Sequence, residues 1–217
     1  MVRYGASGRE VVLRDGDYEA RIVTVGAGLA GLTYRGHEVI VPHRVDECPP
    51  AYLGKVLMPW PNRVAGGAYS WEGTSYDLPV DEPAFGTSLH GFVAFQDWRV
   101  DRADASCVQL STLIAARYSY PWTLLASARY SLDARAGLTV ELSATNVGQG
   151  TAPLGVGFHP YLAVDGIRAD HLELTNPASI IYEADASMIP VAAHDVAGFG
   201  LDFRSPARIG EAGLDHC

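Results

Sequence analysis

Three short segments of the chain gather residue types that move protons or hold hydroxyl groups. In "MPWPNRVAGGAYSWEG" (58–73), Pro59 and Pro61 stiffen an extended entry, and Asn62 and Arg63 then offer several hydrogen-bond donors just before a Gly-Gly turn. In "SLHGFVAFQDWRV" (88–100), His90 is followed by Gly91, which frees the backbone beside the imidazole, with Phe92, Phe95 and Trp98 close in sequence. In "PLGVGFHPYLAV" (153–164), alternation places Gly155, Gly157 and His159 on one face of a strand and Val156 and Phe158 on the other. Two residues without side chains below an imidazole predict an open groove, and Pro160 fixes His159 in extended backbone. A histidine so placed suits proton transfer to a bound ligand. Taken alone, Arg63 also reads as an exposed loop arginine, and His90 as a packed structural histidine.

The elements that must position these groups are strands. "DYEARIVTV" (17–25), "SCVQLSTLI" (106–114), "TLLASARYSL" (123–132) and "GLTVELSATNVG" (137–148) alternate apolar and polar residues with a period of two. Turn formers separate them: Asp15-Gly16, Glu72-Gly73, Ala136-Gly137 and the bend from Gly148 to Gly150. "AYSWEGTSYDL" predicts a hairpin with Glu72-Gly73-Thr74 near its tip. No uninterrupted helical period is present, and with 23 Gly and 13 Pro the chain predicts a single antiparallel β domain over 1–217. One stretch points elsewhere: "VGAGLAG" (25–31) has the G-x-G-x-x-G spacing of a dinucleotide-binding turn. That motif needs a following helix whose N-terminus faces the pyrophosphate, and a parallel crossover takes about a dozen residues or more. Only Leu32, Thr33, Tyr34 and Arg35 separate Gly31 from Gly36, so the stretch predicts a β turn, with Leu29 and Leu32 facing the core, and the dinucleotide oxidoreductase reading falls away.

The formal net charge of −9 argues against nucleic acid as a partner, since phosphate recognition needs a basic footprint. Lys55 alone breaks an otherwise all-arginine basic set and reads as compositional bias. No apolar run has transmembrane length, and the N-terminus lacks a secretory pattern, so no membrane is expected. Cys48, Cys107 and Cys217 are odd in number and lack C-x-x-C spacing, which points to free thiols and a cytoplasmic setting. His37, His43, His171, His194 and His216 lack partners at metal-ligand spacing, and neither a G-x-S-x-G elbow nor a P-loop occurs.

"PNRVAGGAYSWEG" from Pro61, "HGFVAFQDWRV" from His90, "TNVGQGTAPLGVGFHPY" from Thr145 and "GLDHC" from Gly213 together resemble the aldose 1-epimerase (galactose mutarotase) family, and "PWPNR" leans towards its bacterial branch. The resemblance runs in order along the chain. It implies an all-β, antiparallel β-supersandwich and interconversion of the α and β anomers of a free hexose, with no metal or organic cofactor. It gives His159 the role of general acid at the ring oxygen, assisted by His90, and has Arg63, Asn62 and Asp215 hold sugar hydroxyls. Trp98, Tyr161 or Trp60 would supply an apolar surface for the sugar face. The family's base is a glutamate beyond the aspartate motif, whereas this sequence ends at Cys217, and Glu211 precedes the motif. A fragment of a longer chain is favoured over a degenerate member, so the fold is expected to be incomplete on its C-terminal side and a poor catalyst alone. The alternative function is a non-catalytic carbohydrate-binding β domain. Galactose, glucose, and phosphorylated or sulfonated hexoses all fit the motifs, as do a monomer and a homodimer.

Overall fold

Asp15-Gly16 reverses the chain between β1 (Glu10–Asp15) and β2 (Tyr18–Val23), and the computed structural model, which describes residues 4–210, continues this hairpin through β3 (Gly28–Tyr34) and β4 (His37–Glu38). These four strands form one antiparallel sheet in sequential order. Gly26 and Ala27 make the β2–β3 reversal with φ of 74° and 43°, and a strand, not a helix, begins at Gly28. The dinucleotide-like motif is therefore a β turn, with Leu29 and Leu32 buried as expected.

Short strands follow: β5 (Val56–Leu57), β6 (Arg63–Ala65), and the hairpin of β7 (Ala68–Trp71) and β8 (Thr74–Asp77), whose tip is Glu72-Gly73 with both φ values positive. β9 (Thr87–Leu89) returns to pair with β6. A second four-stranded antiparallel sheet is built from β10 (Arg99–Ala103), β11 (Cys107–Ile114), β12 (Leu124–Asp133) and β13 (Gly137–Asn146). Its period is two: Leu124, Ala126, Ala128, Tyr130 and Leu132 of β12 are buried, while Leu125 is exposed on the other face. Full burial of a leucine-sized side chain contributes about 1.5–3 kcal/mol. β14 (Gly157–Phe158) pairs with β5, β15 (Glu173–Leu174) with β18 (Ala207–Arg208), and β16 (Ile180–Ala184) with β17 (Pro190–Asp195). Ala169–His171 and Val196–Phe199 are the only helical turns among the described residues, and no helix there is long and apolar enough to cross a membrane.

The two larger sheets share one core, filled by Leu13, Ile22 and Leu29 from the first and Leu110, Ile114 and Tyr130 from the second. The Tyr130 hydroxyl, wholly inside, donates to the Ala27 carbonyl, so the glycine-rich turn is tied to the second sheet. Cys48 and Cys107 are free thiols, while Cys217 lies outside the described residues.

Candidate active site

His159 follows directly on β14, and both its backbone groups are held by the segment at residues 54 and 55. Its N–H donates to the Lys55 carbonyl at 3.0 Å and its carbonyl accepts from Gly54 N–H at 2.8 Å. Just beyond, Val41 N–H donates to Tyr161 O at 2.8 Å and Ala163 N–H to Val39 O at 2.9 Å. The backbone that carries the His159 ring is thereby fixed on neighbouring chain. That ring borders a groove of about 880 Å³, which is also lined by Tyr52, Asn62, Arg63, Glu82, His90 and Tyr161.

The floor below His159 differs from the sequence expectation. A Cβ on either Gly155 or Gly157 would stand 2.7 Å from the ring of Pro61. Pro61 occupies the space a side chain would take at either glycine, and of the two only Gly157 lines the groove with His159. Their absent side chains let the Pro59–Pro61 segment lie against β14, which brings Asn62 and Arg63 towards His159.

His90 sits where β9 turns away, with φ of 61° at His90 and 73° at Gly91. A side chain at Gly91 would collide with the Met58 carbonyl, so the turn requires glycine. His90 and Asn62 bond reciprocally: His90 N–H donates to Asn62 O at 3.0 Å, and Asn62 N–H donates to His90 Nδ1 at 2.9 Å. With Nδ1 accepting, the neutral ring carries its proton on Nε2. Burial, then the neighbouring His159 and Arg63, push the His90 pKa down from 6.5 to about 4. At neutral pH His90 is an uncharged hydrogen-bond donor. Its ring meets His159 edge-on with centroids 5.2 Å apart, and Tyr52 packs on it at 4.6 Å.

Arg63 does not lie free in solvent. Its Nε and Nη2 donate to the two oxygens of Glu82 at 2.7 and 2.8 Å, its Nη1 donates to Asn62 Oδ1 at 3.3 Å, and its guanidinium stands 5.1 Å from the Phe85 ring centroid. Three of five N–H donors are thus engaged, leaving one on each Nη for a ligand. The Glu82 carboxyl is held below the usual carboxylate range by Arg63 against the opposing effect of burial, with Thr87 adding a hydrogen bond.

Tyr161 lines the groove, its ring centroid 5.3 Å from that of His159 and its hydroxyl donating to Ala51 O at 3.3 Å. Trp98 does not: it is fully buried in the core with its indole N–H on the Val93 carbonyl at 3.2 Å. Its backbone N–H bonds to Thr24 O, just beyond β2, and its ring packs within the core. Trp60 faces a separate apolar cavity of about 560 Å³ with Tyr69, Trp71 and Tyr120, and its buried indole N–H has no partner among the described residues. Asp215 lies outside the described residues. Sequence reasoning missed Glu82, Tyr52 and Met188, all of which line the groove. Met188 comes from the β16–β17 turn with φ of 61°, and Tyr52 follows Ala51 in left-handed backbone. Only Glu82 carried a signal, since a half-buried arginine needs a counter-charge. Among the described residues no group of three His, Cys, Asp or Glu side chains forms a metal site.

Two imidazoles, one of them a fixed neutral donor, beside a guanidinium with two free N–H groups can hold a polyhydroxylated ligand and move a proton at one of its oxygens. The aldose 1-epimerase family profile matches residues 9–217. The chain is 41% identical over 210 residues to the uncharacterized protein YihR of Escherichia coli, covering 97% of this chain and 68% of that protein. A crystal structure of a GalM/aldose epimerase homologue from C. elegans superposes with a TM-score of 0.83 at 24% identity, over 95% of this chain and 68% of that one. The galactose 1-epimerase of Lactobacillus acidophilus gives 0.81 at 24%, over 93% and 62%. The two structures speak for the fold, a galactose mutarotase-like antiparallel β-supersandwich, and the chain spans about two thirds of the length of each of the three. By its match to the profile and to YihR, the chain belongs to the aldose 1-epimerase family.

Proposed function

We propose that these 217 residues carry the acid half of a sugar-ring-opening site that interconverts the anomers of a free hexose. The observation that carries this reading is the convergence of His159, His90 and Arg63 on one groove. Protonated His159 gives its proton to the ring oxygen while a base removes the proton of the anomeric hydroxyl. The C1–O5 bond breaks, leaving the open aldehyde, and rotation about C1–C2 presents the other face of the carbonyl. The steps then reverse: O5 attacks C1, loses its proton to His159, and the new anomeric oxygen is protonated by the base. His90 supports the ring oxygen through Nε2–H. Arg63, with Asn62 beside it, holds ring hydroxyls, and Tyr161 faces the sugar. Asp215 is assigned to hydroxyl binding by its motif.

Glu82, the one carboxylate lining the groove among the described residues, is a poor base, since its oxygens already accept from Arg63 and Thr87. By family resemblance the base is a glutamate beyond the aspartate motif. The same observation favours a second reading, a sugar-binding domain that holds its ligand without turning it over. Polarimetry of freshly dissolved α-glucose and α-galactose separates the two. The complete protein is expected to speed the approach to anomeric equilibrium, and His159→Ala to lose about 10²–10⁴-fold of that acceleration. No acceleration, or an unchanged rate in the variant, would sink the isomerase reading for those sugars.

A further inference from the structure

Arg63 reaches the groove from the first position of β6, and nothing in that short strand fixes the long, flexible side chain. The fixing comes from elsewhere. Residues 82–87 form a turn laid against β9: Glu82 N–H donates to Thr87 O at 3.1 Å and Thr87 N–H to Glu82 O at 3.3 Å. The Asp81 carboxylate secures the base of this turn by accepting Leu89 N–H at 2.8 Å, and Leu89 is the β9 residue that pairs with Arg63. Glu82 then meets the guanidinium side-on through two bonds, and Thr87 Oγ1 donates to the same carboxylate at 2.6 Å. Both partners are largely withdrawn from solvent, with side-chain exposures of 18% for Arg63 and 17% for Glu82.

We infer that Glu82 is the positioning residue of the sugar site, holding Arg63 with one free N–H on each Nη turned to the ligand, and that Thr87 orients Glu82 for this task. A two-point contact between planar groups fixes the guanidinium in direction as well as place, which one hydrogen bond cannot do. The same contact commits the carboxylate, so Glu82 acts through Arg63 and not on the sugar. For function, this inference rests on the mutarotase reading; for structure, it does not.

The test therefore has two arms. In the first, the Arg63 Nε–Hε resonance of wild-type protein is expected to exchange slowly with water, and to exchange fast in Glu82→Gln. Equal exchange in the two proteins overturns the inference whatever the sugar. In the second, mutarotation kinetics of Glu82→Gln should show KM raised about tenfold, equivalent to about 1.4 kcal/mol, with kcat within about twofold. In a cycle with Arg63→Ala, the double variant should lose no more than Arg63→Ala alone. Additive losses, or an unchanged KM, overturn the inference. Should Glu82→Gln fail to fold, Thr87→Val removes only the supporting hydroxyl, and a smaller KM rise and faster Hε exchange are expected; neither change overturns it. If the wild-type protein accelerates no aldose, the mutarotase reading fails and the resonance arm still decides the role of Glu82.

Discussion

Asn62 donates its backbone N–H to His90 Nδ1 while His90 returns its own N–H to the Asn62 carbonyl, so a proton arriving at Nδ1 would face another N–H at 2.9 Å. Protonation must break that bond, and it must occur in a half-buried place beside His159 and Arg63, with only Glu82 opposing them. This is the physical content of a pKa lowered from 6.5 to about 4. The consequence for stability has a definite sign. In the unfolded chain this histidine takes up a proton near pH 6.5, whereas in the folded protein it does so only near pH 4. Between those values the unfolded state binds more protons, so stability is fully present above the window and is lost as pH falls through it. Carboxylates titrate nearby, so the measurement is a difference: denaturant unfolding of wild type and His90→Gln at about pH 7 and about pH 4.5. The wild type is expected to lose more stability on acidification than the variant, and an equal loss in both would refute a histidine held neutral by its neighbours.

At the level of elements, the site depends on how closely the Pro59–Pro61 segment lies on β14. A methyl group at Gly157 would touch Leu57 at 3.4 Å, an ordinary contact, but would stand 2.7 Å from Pro61, which must then shift. Gly157→Ala is expected to destabilise the protein by about 1–3 kcal/mol, the range for overpacking. It should also raise KM, because Pro61 carries Asn62 and Arg63 with it. Thermal melts and sugar kinetics on the same preparation check both, and an Ala variant of unchanged Tm and KM would show that the segment has slack. Such pairings explain how far the sequence could be read. The alternation of β11, β12 and β13, the Glu72-Gly73 hairpin and the turn at Gly26-Ala27 are local consequences of side-chain period and backbone freedom, and each is visible in a few residues. Asn62, Arg63, His90, His159 and Tyr161 could be placed together because their motifs resemble those of a family. Trp98 could not: it is buried among residues far away in the sequence, with its backbone bonded to Thr24 more than seventy positions earlier. Nor could Lys55, which reads as a compositional oddity but is buried, its Nζ donating to Val25 O at 2.7 Å and its stem passing beside Gly26 and Gly28. Gly26 of the dinucleotide-like motif thus makes room for a lysine stem, where phosphate was the first suggestion of its spacing.

The whole molecule presents a groove lined by two imidazoles and a guanidinium, while its one groove-lining carboxylate among the described residues is already bonded to Arg63 and Thr87. Among the described residues no carboxylate in the groove is free of partners, so a base can be offered from solution as a test. Formate is small enough to enter a groove of about 880 Å³ beside a sugar and can take the anomeric proton while His159 protonates the ring oxygen. The net charge of −9 opposes entry of an anion, so ionic strength must be held constant as formate is varied. Once the formate-dependent rate without protein is subtracted, mutarotation by these 217 residues is expected to rise with formate and then saturate. The gain should be a fraction of the ~10²–10⁴-fold that a positioned base supplies, since a diffusing base is not held in place. His159→Ala should abolish the saturable part, because formate can supply the base but not the acid. A full rate without formate would mean that a base is already present in the chain, and an equal formate response in His159→Ala would remove His159 from the chemistry.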